Sequence, residues 1–188
     1  MKALRVAIIS SIALVTIFIV LKLFLSGLLL QSPKCPPSIR LLLQLFIAPK
    51  DYYEYLINDP LNLTEKGLTK RFKFKNKYIG GYSAGILLDN FSDHSYFKSM
   101  SEKYKLKLKM EVNFYQNGNL ILSRIVENKY FPFLSLKGSG FAFIIYKSPD
   151  DLPSDKLLVC EVKIIESDTE LENTYGPVRF YIRKDSDM

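Results

Sequence analysis

Hydrophobic positions along this chain follow two different rules. Residues 6–21 are uncharged and almost wholly apolar, Lys2 and Arg5 precede them, and beyond Lys22 the apolar character resumes through residues 23–30. A bilayer core takes roughly 20 mostly apolar residues as helix. Residues 3–21 reach that length when Arg5 and Lys22 extend their charged ends to the two interfaces. The pattern predicts a transmembrane signal anchor over residues 1–30, with membrane contact through residues 6–30. Residues 31–50 read as a tether with a possible first strand. Pro33, Pro36 and Pro37 favour extended backbone there, and the apolar residues 39–48 are too few to span and are interrupted by Arg40 and Gln44.

Beyond the tether, Asp51 stands where a helix cap would go, followed by Tyr52, Tyr53, Tyr55, Leu56 and Ile57. One or two helical turns are expected, closed by Asp59-Pro60. The period then changes to two. Leu68, Lys70, Phe72 and Phe74 share one face of a strand, and Thr69, Arg71, Lys73 and Lys75 share the other. Gly80-Gly81 permits a turn into a strand over residues 82–88. The clearest alternation covers residues 103–114, with Tyr104, Leu106, Leu108, Met110, Val112 and Phe114 against Lys103, Lys105, Lys107, Lys109, Glu111 and Asn113. Such a strand has one face in a core and one in water. Asn117-Gly118 supplies the positive-φ turn of a tight hairpin onto residues 120–127. Further strands are expected at 141–147, 157–165 and 178–183. The fold class is therefore all-β: an antiparallel β-sandwich, jelly-roll-like, over residues 51–188.

The leader has two rival readings. A cleaved secretory signal should end in small residues of the Ala-x-Ala kind, whereas Leu28-Leu29-Leu30-Gln31-Ser32-Pro33 follows here. Lipidation of Cys35 needs small apolar residues before the cysteine, and Ser32-Pro33-Lys34 does not supply them. The positive leading end favours an amino terminus held in the cytoplasm. The expectation is thus a single-pass protein of the inner (cytoplasmic) membrane, with its carboxy-terminal domain on the extracytoplasmic, periplasmic side.

Charge adds little. Setting aside Lys2, Arg5 and Lys22 leaves 23 basic residues against 19 acidic. That mild excess fits an anionic lipid surface and does not call for nucleic acid. Cys160 alternates with Leu158, Val162 and Ile164 and reads as a core thiol; a bridge to Cys35 is the other possibility outside the cytoplasm.

Chemistry-bearing motifs are sparse. His94, the one histidine, lies in a polar loop with Asp93, Ser95 and Tyr96. Neighbours in sequence rarely have triad geometry, and no nucleophile elbow or Walker loop occurs. One histidine and two distant cysteines do not fill a zinc site. Asp150-Asp151 suits turn chemistry better than hydrolysis. Glu166, Asp168, Glu170 and Glu172 lack the glycine and oxygen density of a calcium loop, and a solvated acidic loop is the expectation. The expectation is no enzymatic activity, no cofactor and no metal. Candidate protein-binding residues are Lys103, Lys105, Lys107 and Lys109, which with Arg71, Lys73 and Lys75 would form a positive sheet face, together with Asp93, His94, Tyr96, Asp150 and Asp151 in two loops. Lysine on a strand also serves simply to block edge pairing.

Two stretches carry a family resemblance: Pro60-Leu61-Asn62-Leu63-Thr64-Glu65-Lys66-Gly67, and Tyr175-Gly176-Pro177-Val178-Arg179-Phe180-Tyr181-Ile182. Residues 50–185 resemble a family of small exported bacterial β domains of unknown function, often anchored as lipoproteins. The resemblance implies no catalytic residues. Tethered exported modules of this size are also similar, in size and address, to immunity proteins that neutralise envelope-acting toxins. The expected function is a membrane-tethered protein-binding module, an immunity or inhibitor protein whose partner is a secreted toxin. The alternatives are a structural subunit of an envelope or secretion assembly and, less favoured, a glycan or lipid hydrolase using His94, Asp93 or Glu166.

Overall fold

A computed structural model describes residues 11, 13–18, 20–21, 51–88, 106–127, 130–135 and 138–185. The chain divides into two compact units, Met1–Tyr52 and Tyr53–Met188. In the first, residues 13–18 and 20–21 are helical. Leu14, Val15, Ile17, Phe18, Val20 and Leu21 there are each 49–69% exposed. Among the described residues no helix is long and apolar enough to cross a membrane. The greater part of residues 1–50, with the expected tether and first strand, lies outside the described residues.

The second unit is a sandwich of two antiparallel sheets. Its strands are β1 (Tyr55–Pro60), β2 (Thr69–Lys75), β3 (Gly80–Leu88), β4 (Lys109–Gln116), β5 (Asn119–Glu127), β6 (Phe131–Ser135), β7 (Gly138–Ser148), β8 (Leu157–Glu166) and β9 (Val178–Lys184). One sheet has the order β1-β9-β3-β7-β6 and the other β2-β8-β4-β5. The pairings nest. β4 meets β5 through the Asn117-Gly118 turn, β3 meets β7, β2 meets β8, and β1 meets β9. This is one long hairpin rolled so that β9 also pairs with β3 and β8 with β4. Rolling a hairpin in this way gives jelly-roll strand order, with β6 added at one edge.

Period-two patterning explains the core. Phe72 and Phe74 of β2, Met110, Val112 and Phe114 of β4, and Leu158, Cys160, Val162 and Ile164 of β8 face Tyr82, Ile86, Phe141, Tyr146, Phe180 and Ile182 of the other sheet, all buried. Aromatic rings knit the layers: Phe72 stacks on Phe180 at 5.3 Å, and Phe114 meets Tyr146 at 5.6 Å. With tryptophan absent, the phenylalanines and tyrosines carry this contact. Between β3 and β7 the backbones approach so closely that a Cβ on Gly85 would collide with the Phe141 carbonyl, and one on Gly140 with that of Ile86. The Gly138-Ser139-Gly140 stretch is thus the start of β7.

Besides β6, for which the pattern predicts no strand, three elements differ from expectation. The residues expected to make helical turns before Pro60 instead form β1, because β9 offers them a ladder from Tyr55 opposite Arg183 to Pro60 opposite Arg179, irregular only between Tyr55 and Ile57. The alternating strand expected from residue 103 begins at Lys109, since the Lys107 N–H donates to the Asp168 carboxylate (2.9 Å) rather than to a strand. The acidic stretch after β8 folds as helix α1 (Thr169–Tyr175), capped by Asp168, which accepts from the Leu171 N–H.

Candidate docking surfaces

Strand register decides what the lysine-rich face becomes. β8 lies between β2 and β4, so cross-strand rows on the outer face run Thr69, Lys163, Glu111 and Arg71, Glu161, Asn113. Arg71 pairs with Glu161, Lys109 with Glu127 of β5 at 2.8 Å, Lys107 with Glu170 of α1 at 3.0 Å, and Lys75 with Asp155 at 3.5 Å. The Arg71 hydrogen bond holds the Glu161 carboxyl below the usual glutamate range, against the effect of burial. Hydrogen bonds that Lys107 donates to Glu170 and Lys109 to Glu127 push the pKa of each ammonium group up. The expected positive face is therefore a checkerboard. Lys103 and Lys105 lie outside the described residues.

One of the two candidate loops lies within the described residues. Asp150 and Asp151 are exposed in the connection after β7, at the end that also holds the Asn117-Gly118 turn. Asp151 is turn chemistry: its carboxylate accepts from the Lys147 N–H (2.7 Å) and its own N–H donates to the Lys147 carbonyl (2.8 Å). Asp93, His94 and Tyr96 lie outside the described residues. β3 ends at Leu88, which pairs with Val178, at the α1 end. A strand rises about 3.3 Å per residue, so the ten residues of β8 hold the two ends of the sandwich roughly 30 Å apart.

The acidic residues around α1 hold local structure. Asp168 serves two backbone amides, Glu172 accepts from the Leu63 N–H at 2.9 Å, and Glu170 pairs with Lys107. Among the described residues, no group of three His, Cys, Asp or Glu side chains is placed to hold a metal ion. Cys160 is a free thiol inside the core, and burial pushes its pKa far above the ordinary thiol range.

Two features have no sequence signal that periodicity would reveal. On the outer face of the five-stranded sheet, Arg183 lies over the Phe133 ring at 4.2 Å, and Tyr181 packs edge-on against Phe133 (5.1 Å) and Tyr55 (5.8 Å). Ser83 donates to Asp185 (2.9 Å), which stands 3.6 Å from Arg183. Tyr181 is fully buried there, and burial pushes its phenol well up. The other feature is β5, an edge strand whose Leu120, Ile121 and Ile125 are exposed. It offers a polypeptide an open edge with exposed apolar side chains.

No protein-family model and no curated relative matches the chain. Among solved structures, a protein from Sulfurospirillum deleyianum is similar at a TM-score of 0.47 and 12% identity, covering 69% of this chain and 97% of that one. A GH115 4-O-methyl-α-glucuronidase with specificity for decorated arabinogalactans is similar at a TM-score of 0.32 and 15% identity, covering 65% of this chain but 14% of that one.

Proposed function

We propose that this chain is a membrane-tethered, extracytoplasmic protein-binding module that acts as an immunity or inhibitor protein against an envelope-acting toxin. The observation that carries the reading is the leading helix. Leu14, Val15, Ile17, Phe18, Val20 and Leu21 all stand exposed on it. Water penalises such a surface, and lipid does not. A sandwich with its own aromatic core and an open apolar edge strand supports the second half of the proposal. Tethering would raise the module's effective concentration where an incoming toxin passes.

The test has two arms. Membranes washed with alkaline carbonate are expected to retain the full-length protein, and an enzyme fused after Met188 is expected to be active only on the extracytoplasmic side. Release by carbonate, or a reporter active only in the cytoplasm, overturns the tethering. Deletion is expected to lose protection in competition against toxin-bearing siblings. Equal survival of the deletion strain overturns the immunity role.

A further inference from the structure

The four sheet edges are not alike. β1 carries Pro60 and a register irregularity between Tyr55 and Ile57. β6 is five residues long and carries Pro132. β2 presents Arg71, Lys73 and Lys75. Proline, bulges, brevity and lysine all keep one sheet edge from pairing with another. β5 has one of these guards, a register irregularity at Ile121 between Leu120 and Leu122, and its ladder is regular over residues 122–127. It is nine residues long, without proline or lysine, and every residue but Leu122 and Val126 is exposed. Leu120 is 54% and Ile125 64% exposed. A long edge that exposes apolar residues and keeps a regular ladder over residues 122–127 is a template for an added strand.

Charge decides which strand. Pairing with β4 sets Leu122, Arg124 and Val126 on one face of β5 and Ser123, Ile125 and Glu127 on the other. Glu127 is held by Lys109. Arg124 donates to the neighbouring Ser123 carbonyl at 3.1 Å, and no acidic side chain reaches it among the described residues. A second copy of this chain does not answer that charge. Antiparallel pairing keeps each face on its own side, so Arg124 would meet Leu122, Arg124 or Val126 of the copy and never Glu127.

We infer that β5 accepts an extended segment of a different polypeptide as a fifth strand of its sheet, with an acidic residue opposite Arg124 and apolar residues flanking it. This rests on the protein-binding reading and names how the partner is held. Backbone hydrogen bonds supply the affinity, and the Arg124 pairing supplies the preference among strands.

The probe is a synthetic nonapeptide of alternating valine and threonine with glutamate replacing the central valine, added to the full-length protein in detergent. The glutamate peptide is expected to bind about two- to fivefold tighter than its lysine counterpart, the range of an exposed ion pair. Arg124→Glu is expected to reverse that order. N-methylation along one peptide edge is expected to abolish binding while methylation along the other does not. Ile125→Lys, at an exposed position, is expected to weaken binding with an unchanged circular dichroism spectrum. Absence of binding by either peptide, insensitivity to N-methylation, or a β5-dependent homodimer in sedimentation overturns the inference. The sibling competition separates the two readings. Full protection by Ile125→Lys sinks strand addition alone, whereas full survival of the deletion strain sinks the immunity role itself.

Discussion

At the start of α1 the Asp168 carboxylate accepts from two amides, Lys107 and Leu171, that no strand pairs. It caps a short helix and anchors the approach to β4 with one side chain. Asp168→Ala removes both bonds at a buried position, and a lost cap plus an orphaned amide costs about 1–3 kcal/mol; urea unfolding checks this. Glu161 makes a second prediction. Its carboxyl is held below the ordinary range in the folded protein by Arg71, so the folded state resists protonating it. The stabilisation is complete above the unfolded glutamate value and is lost as pH falls through the folded one. Urea midpoints between about pH 5 and pH 3 are therefore expected to fall more steeply for the natural protein than for Glu161→Gln. Equal slopes would remove the Arg71 pair from the account.

Among the elements, β2 and β8 are legible because one face of each is core and the other water, and the side chains record it residue by residue. The Asn117-Gly118 turn is legible because both residues take positive φ, 50° and 82°, which few residue pairs tolerate. β1 is not legible. Tyr55 and the two tyrosines before it suit a helical turn locally, and only β9, distant in sequence, makes β1 a strand. β6 is hidden by Pro132, which an edge strand accepts. α1 has no helical period because Leu171 is its one buried residue. The lysine stripe is visible in sequence, yet its acid partners come from β5, β8 and α1, and register is what brings them there. The same division of faces sets a mutational contrast. Phe72→Ala opens space against the Phe180 ring and is expected to cost about 3–5 kcal/mol. Leu120→Ala, on the open edge, is expected to stay within about 0.5 kcal/mol. Thermal unfolding of the two variants distinguishes them, and comparable losses would mean that β5 is covered.

At the scale of the whole molecule, nested pairing makes nearly every strand contact a distant one. Loops must close before β1 meets β9 or β2 meets β8, so the entropic cost comes before the gain. Stopped-flow refolding is expected to fall in the millisecond-to-second range of all-β sandwiches. A microsecond phase with full amplitude would contradict the nested order.

Tyr55 stands beside Arg183, so the sandwich begins and finishes at neighbouring points on the same rim. A short glycine-rich splice would join them, leaving the polypeptide free to be opened at the exposed Asn117-Gly118 corner. Such a circular permutant keeps every ladder while turning the local contact of β4 with β5 into the most remote.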